Sequence, residues 1–148
     1  MPTMTTAPKI RNASMADAAG IAECLASLGY GTSAELVIAK LKVIEGCARA
    51  AVFVSEIDTQ IVGVISMHAM PLFHTQGELA RITALAIREG WFRQGIGAGL
   101  IHAGEAWAWS VGAIRIEVTS GDHRNGAHRF YQASGYAVDE RRFVKRVV

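Results

Sequence analysis

The first residues that could do chemistry are the closely spaced glycines Gly95, Gly97 and Gly99, which follow an apolar run from Ile82 to Ile87. An apolar-periodic stretch follows them and predicts a helix. A strand, a glycine turn and a helix start together form an anion site. Glycine lets the backbone approach a ligand closely, and the first N–H groups of a helix have no intrahelical partner. The expected ligand is a phosphate or diphosphate, and Arg93 adds positive charge beside it.

Two other nucleotide-binding motifs use the same physics. A P-loop needs Lys-Ser or Lys-Thr after its second glycine, whereas Ala98 and Gly99 follow Gly97 here. A Rossmann turn usually follows the first strand of its domain, with an acidic residue about 20 residues further on. This turn lies past the middle of the chain, but Glu117 stands at about that separation. A dinucleotide site therefore stays open as an alternative.

A second segment runs from Thr119 to Tyr136 and carries the pattern Asn125-x-Ala127-x-x-x-Phe130-Tyr131-x-x-x-Gly135-Tyr136. With the glycine turn before it, at this separation, the chain resembles the GNAT superfamily of acetyl-coenzyme A (acetyl-CoA) dependent N-acetyltransferases. The resemblance extends from about Ile10 to Val147. It implies acyl transfer from a thioester to an amine, with acetyl-CoA as the co-substrate and no metal.

The resemblance implies a cofactor site built largely from backbone. The diphosphate would lie on N–H groups of Arg93, Gln94, Gly95, Gly97 and Ala98. Leu85 and Ile87 would offer backbone groups to the pantetheine amides, as an added strand does. Family members usually carry Gln or Arg where Phe92 stands, so backbone contacts are implied at this position and a side-chain contact is not.

The second motif supplies a proton donor and two further cofactor contacts. Tyr131 matches the family's general acid: a thiol has a pKa of about 8.5 and a phenol of about 10, so a positioned phenol suffices. The alternative for Tyr131 is packing with Phe130 and Tyr136. Asn125 matches a pantetheine contact or is a helix N-cap, and His128 faces coenzyme A or is an exposed helical histidine.

The general base is the least defined residue. Some family members carry a Glu on the strand before the glycine turn, and Arg81 occupies that position here. Glu78 is the catalytic candidate, and His74, Arg81 and Tyr30 are assigned to the acceptor site. Arg81 suits a substrate carboxylate, because its guanidinium matches that anion, or it pairs with Glu78 or Glu89.

Hydrophobic periodicity and turn residues predict the elements that position these groups. Strands are predicted at 9–13, 50–57, 60–68, 79–87, 113–119 and within 136–147. Helices are predicted at 17–28, from a Ser33 cap to about Ile44 with Leu36 on the inner face, and at 97–111 and 125–134. The order βααβββαβαβ is a mixed α/β domain over 9–148, with a loose tail at 1–8. It matches the GNAT arrangement, in which the strands flanking the glycine-turn helix splay apart to admit pantetheine.

Composition narrows the function classes. The chain has 148 residues and a net charge of +2, and its basic residues are dispersed except near the end, so a nucleic-acid surface is not expected. Its two cysteines, Cys24 and Cys47, show no metal-ligand spacing and are expected to be reduced. Neither a signal peptide nor a membrane-spanning run is evident, so a cytoplasmic protein is expected. The sequence is also compatible with a homodimer.

The sequence thus predicts an N-acetyltransferase of a small-molecule or peptide amine. Transfer is expected to be direct, because Cys24 and Cys47 match no nucleophile motif. The alternative is a non-catalytic acyl-CoA-binding module of the same fold, which the replaced base position at Arg81 favours. A nucleotide-binding oxidoreductase is the more distant alternative.

Overall fold

The computed structural model describes residues 7–120, 125–139 and 142–147. The strands are Lys9–Asn12 (β1), Ala50–Ile57 (β2), Gln60–Pro71 (β3), Glu78–Ile87 (β4) and Ala113–Val118 (β5). The helices are Ala18–Ala26 (α1), Ala34–Glu45 (α2), Ile96–Ser110 (α3) and Asn125–Ala133 (α4), and a 3-10 turn, Met15–Asp17, precedes α1.

The strands form one sheet in the order β1-β2-β3-β4-β5. The pairs from β1 to β4 are antiparallel, whereas β4 and β5 are parallel because α3 crosses between them. The β2–β3 hairpin turns at Asp58 and Thr59, whose φ angles of 49° and 66° suit the twist of a two-residue hairpin. The mixed α/β class predicted from the sequence is confirmed.

Helices cover both faces of the sheet. On one face α1 and α2 bury Val54, Val64 and Ala86. On the other face α3 packs against side chains that include Ile65 and Met67, and aromatic residues of α4 join this cluster. Alternation along β3 and β4 separates the two cores.

Close approach of α3 to the sheet depends on missing side chains. A Cβ on Gly63 of β3 would lie 2.8 Å from Leu100 Cδ1, and one on Gly104 of α3 would lie 3.0 Å from Met67 Sδ. These distances leave no room for a larger residue without movement. The helix start is therefore fixed against the sheet, and with it the glycine turn.

The predicted helices are found with small changes at their ends. Ser33 caps α2 by accepting a hydrogen bond from the Leu36 N–H at 3.1 Å. Leu36 itself was expected on the inner face, but its side chain is 48% exposed. Its neighbour Val37 is buried, so Leu36 stands at the margin of the inner face.

Two strand predictions differ from the structure. β3 continues to Pro71, beyond its predicted end at 68, because its last residues pair with the start of β4 from Glu78. Within 136–139 and 142–147 no strand is found, and Val138, Phe143 and Val147 are 89%, 92% and 99% exposed. Charged residues interrupt both faces of the pattern from Arg142 onward, so neither face is uniformly apolar. Glu140, Arg141 and Val148 lie outside the described residues.

Candidate active site

The glycine turn presents backbone to solvent. Gly95 is the N-cap of α3 in a left-handed conformation with φ 79°, and Arg93 also has a positive φ of 63°. The cap contributes no side-chain hydrogen bond, and no acidic residue stands in the first turn. Within the part of the chain that the structure describes, the N–H groups of that turn, including those of Gly97 and Ala98, therefore have no intrahelical partner and lie at the positive end of the helix dipole, an arrangement that suits an anion. The side chains of Arg93 and Gln94 are exposed beside them.

The second feature of the site is an edge of β4 that has no strand partner beyond Ile82 among the described residues, and we call it the open edge. β5 pairs with β4 only as far as Ile82↔Val118, whereas β3 pairs with β4 as far as Ile87. The Arg88 N–H donates to the Val62 carbonyl at 2.8 Å, which sets the alternation of the β3–β4 ladder. By that alternation, the backbone groups of Leu85 and Ile87 point away from β3 toward the open edge.

A β-bulge lies where the open edge begins. Ser66 pairs with Ala84 and Met67 with Ile82, so Thr83 is the extra residue. The Thr83 hydroxyl lies 2.9 Å from Ser66 Oγ and 3.2 Å from the Ser66 carbonyl oxygen. The bulge turns this polar pair toward the face that carries α1 and α2.

Beyond the bulge, the same face carries a polar strip across three strands. We use this name for Ser66, His68, Thr83, Arg81, Arg115, Glu117 and Thr119. His68 of β3 pairs with Arg81 of β4, and Arg81 pairs with Glu117 of β5, so the three stand in one row. Directly opposite side chains in a sheet lie on the same face. The strip is thus an uncovered continuation of the face that the two helices bury.

Charges within the strip do not balance. Arg81 donates to Glu117 Oε1 at 3.1 Å and to Thr119 Oγ1 at 2.9 Å. Arg115 approaches the other oxygen, Glu117 Oε2, at 3.0 Å. Two guanidinium groups share one carboxylate, which leaves one positive charge in excess among these residues. The Arg81 partners predicted from the sequence, Glu78 or Glu89, are not those found.

An apolar groove runs beneath α2 and ends at the strip. Its volume is about 170 Å³, and α1, α2 and strands β2 to β4 line it. Ser66 and Ala84 are its members nearest the bulge. A larger cavity of about 600 Å³ lies near Cys47 and Trp107, away from the glycine turn and the strip.

Helix α4 packs its aromatic side chains against the start of α3. A Cβ on Gly97 would lie 3.1 Å from Phe130 Cζ, and the rings of Tyr131 and Phe130 meet edge-on at 5.3 Å. The Tyr136 hydroxyl donates to Glu105 at 2.8 Å. Burial, together with Glu105, holds the pKa of Tyr136 well above its ordinary value, so this phenol stays protonated. Half-buried Tyr131 stands beside it, with ring centroids 6.0 Å apart.

The other candidates are dispersed. Asn125 begins α4, but its side chain lies outside what the structure describes, and His128 is half-buried on the same helix. Glu78 starts β4 and forms an ion pair with Arg49. His74 lies exposed in the β3–β4 loop, and Tyr30 lies exposed between α1 and α2.

Reasoning from the sequence missed several residues of the strip. Arg115, Glu117 and Thr119 alternate along a predicted strand, a signal that places them on one face. The sequence offers Glu117 only as a possible dinucleotide ligand, whereas in the structure its carboxylate contacts Arg81 and Arg115. Thr83 gave no signal, because a bulge depends on pairing between strands.

The Cys24 thiol is buried. Burial raises the pKa of the Cys24 thiol to about 11, so it is a poor nucleophile.

Among residues 7–120, 125–139 and 142–147 no cluster of three or more His, Cys, Asp or Glu could hold a metal ion. In that same part of the chain no helix has the length and apolarity needed to cross a membrane.

Comparison with known sequences gives two matches. The sequence model of a family described as the acetyltransferase (GNAT) family matches residues 28–136. An aminoalkylphosphonate N-acetyltransferase of Salmonella typhimurium is 33% identical over 86 residues, which cover 58% of this chain and 56% of that protein. The match thus spans about half the length of this curated relative.

Solved structures share the fold. A GNAT family acetyltransferase of Staphylococcus aureus has a TM-score of 0.81 at 20% identity, covering 96% of this chain and 100% of that one. Glucosamine-6-phosphate N-acetyltransferase of Arabidopsis thaliana has a TM-score of 0.82 at 18% identity, covering 95% and 99%. An aminoglycoside N-acetyltransferase in complex with CoA has a TM-score of 0.85 at 16% identity, covering 99% and 98%.

Proposed function

The chain belongs to the GNAT family of acetyltransferases, and from that premise we propose that it transfers acetyl from acetyl-CoA directly to a primary amine. The acceptor is a small molecule or a peptide. The observation that carries the proposal is the open edge of β4, which joins the start of α3 to the polar strip.

The residues present suit coenzyme A. The turn from Arg93 to Ala98 offers N–H groups and positive charge to the diphosphate. The open backbone groups of Leu85 and Ile87 would bond the pantetheine amides, as an added strand would. Asn125 and His128 on α4 would contact the same arm. The bound cofactor supplies the activated acyl group.

Tyr131 is the proposed general acid, since it stands on α4 beside the start of α3. Its hydroxyl would donate a proton to the departing thiolate. Because a thiol is a stronger acid than a phenol, the thiolate needs a well-positioned donor more than a strong one. Tyr136 is unsuited to this role, because its hydroxyl is committed to Glu105.

The amine must lose a proton before it attacks, because an alkylammonium has a pKa of about 10.4. Glu78 and His74 remain the proposed acceptors of that proton. Glu78 is held by Arg49, and His74 lies in an exposed loop. If neither serves, the proton passes to solvent.

Arg81 is proposed to position an anionic group of the acceptor, with Tyr30 and His74 at the margin of the site. The excess positive charge of the polar strip supports this role. The Salmonella relative is named for aminoalkylphosphonates, which carry both an amine and an anion. The rival function, a non-catalytic acyl-CoA-binding module, is favoured by Arg81 at the base position.

A panel of primary amines incubated with acetyl-CoA tests the proposal, with mass spectrometry to detect acetylated product. Gly97→Asp adds a negative charge to the first turn of α3, and its Cβ would lie 3.1 Å from Phe130 Cζ, so the ring must shift. A folded Gly97→Asp variant should lose the thermal stabilisation by CoA, about 2.7 kcal/mol at a hundredfold excess over Kd, through charge repulsion. Tyr131→Phe should keep that stabilisation and lower turnover by roughly a hundredfold. Binding of CoA without acetylation of any amine would instead favour the binding module.

A further inference from the structure

We propose that the groove beneath α2 receives an apolar group of the acceptor, a ring or a short branched chain near the amine nitrogen. This inference rests on the proposed acetyl transfer. It goes further by assigning a substrate class: primary amines that carry such an apolar group.

The lining of the groove is mainly apolar, with Thr32, Lys40 and Ser66 as its polar members. Most of its residues are aliphatic, and they come from both helices and from the sheet: Ile21 and Leu25 of α1, Leu36 and Val37 of α2, and Val64 of β3. A site with this lining gains little from a charged or strongly hydrated group, whereas an apolar group is transferred from water favourably.

The size of the groove limits the occupant. Its volume of about 170 Å³ is similar to that of an apolar cavity of about 150 Å³ that binds benzene. A ring therefore fills the groove, whereas a methyl group leaves most of it unoccupied.

The position of the groove ties it to the reaction. Ala84 and Ser66 line the groove, and both belong to the bulge. Thr83, next to Ala84, is the first residue of β4 beyond the last pair with β5. An apolar group in the groove therefore places the attached nitrogen where the strands separate, with the polar strip on its other side.

Ala84 is the proposed size-determining residue, because it and Ser66 are the two small side chains that line the groove at the reaction end. Ala84→Leu would fill this end. Ala39→Leu is the matched control, since Ala39 is exposed on α2 and does not line the groove. The probes are 2-phenylethylamine and ethylamine, which share the primary amine and differ in the ring.

For the unsubstituted protein, kcat/KM for 2-phenylethylamine should exceed that for ethylamine by about thirtyfold, because the ring is buried. Ala84→Leu should raise KM for 2-phenylethylamine by roughly tenfold or more, leaving KM for ethylamine and CoA affinity unchanged. Ala39→Leu should change none of these values.

If Ala84→Leu does not fold, Leu36→Ala serves, because Leu36 is 48% exposed and its truncation is tolerable. It should also weaken selectivity for the ring. Equal kcat/KM for both amines, or equal loss for both in Ala84→Leu, would overturn the inference while acetyl transfer stands. Acetylation of no amine would overturn the proposed function itself.

Discussion

Two clusters of arginines and carboxylates lie toward opposite edges of the sheet. One has a single arginine between two carboxylates, and the other has a single carboxylate between two arginines. In the first, Arg11 of β1 bonds two carboxylates, Asp17 and Glu56. In the second, Arg81 and Arg115 share the single carboxylate of Glu117. Taken alone, the first carries one excess negative charge and the second one excess positive charge.

Burial separates the roles of the two clusters. The Asp17 side chain is 7% exposed, and it accepts two bonds from Arg11 and one from the Ser14 N–H. The Glu117 and Arg115 side chains are 37% and 46% exposed. Solvent weakens the second cluster, and its groups can exchange partners for a ligand at little cost. The contrast lies in the carboxylates, because the Arg11 and Arg81 side chains are similarly exposed, at 31% and 29%. A buried carboxylate holds its arginine in place, whereas an exposed one leaves its arginines accessible to solvent.

Asp17→Asn should have the largest effect on stability. It removes the carboxylate that holds Arg11 and leaves a buried site without its charge, so the free energy of unfolding should fall by about 2 to 3 kcal/mol. Urea denaturation measures this loss, and Glu23→Gln on the exposed face of α1 is the control. Equal stability of the two variants would mean that the first cluster is dispensable. Acetylation by the folded variant should be unchanged.

The pH dependence of stability should follow the first cluster. The hydrogen bond from Arg11 holds the pKa of Asp17 below its ordinary value of 3.8. The stabilisation is therefore complete above that ordinary value and is lost as pH falls through the lower folded-state pKa. The difference in urea stability between the unsubstituted protein and Asp17→Asn should shrink below about pH 4. A difference that stays constant down to pH 2 would contradict this origin.

Arg81→Ala should affect acceptor binding more than stability. For an amine that also carries a carboxylate or phosphonate, KM should rise about tenfold, which corresponds to about 1.4 kcal/mol. CoA affinity should be unchanged, and the loss of stability should stay below about 1 kcal/mol because the pair is partly exposed. Arg142→Ala is the control. A large loss of stability with unchanged KM would assign Arg81 to the fold.

Glu117→Gln should give the smallest effect of these variants. It should lower KM for one kind of acceptor and raise it for another. Without the carboxylate both arginines attract anions more strongly, so KM should fall roughly threefold for an anionic amine and rise roughly threefold for a plain alkylamine. Steady-state kinetics with the two acceptors measures both changes. A change of the same sign for both would show that Glu117 does not act through the charge of the strip.

Local signals in the sequence predicted much of the fold. The Ser33 cap, the Asp58-Thr59 turn and the glycine turn each depend on residues close together in the chain, and each lies where expected. The predicted family and fold class are also confirmed. Periodicity misled at 136–139 and 142–147, because charged residues interrupt both faces of the segment from Arg142 onward and no strand is found there.

The site was less predictable, because it depends on register. The pairing of Arg81 with Glu117 follows from the parallel alignment of β4 and β5, which no local pattern encodes. The bulge at Thr83 and the end of the β4–β5 pairing have the same origin. The sequence could therefore identify the glycine turn and Arg81 as candidate site residues, but not the polar strip or the groove.

The short pairing of β4 with β5 has a kinetic consequence. The start of α3 and the polar strip lie on opposite faces of the sheet, and the gap beyond Ile82 connects them. In the proposed reaction, acetyl-CoA and the amine would enter by separate routes, so the second substrate can bind before any product leaves. Both would be bound together, and initial-rate lines at several donor concentrations should intersect rather than run parallel.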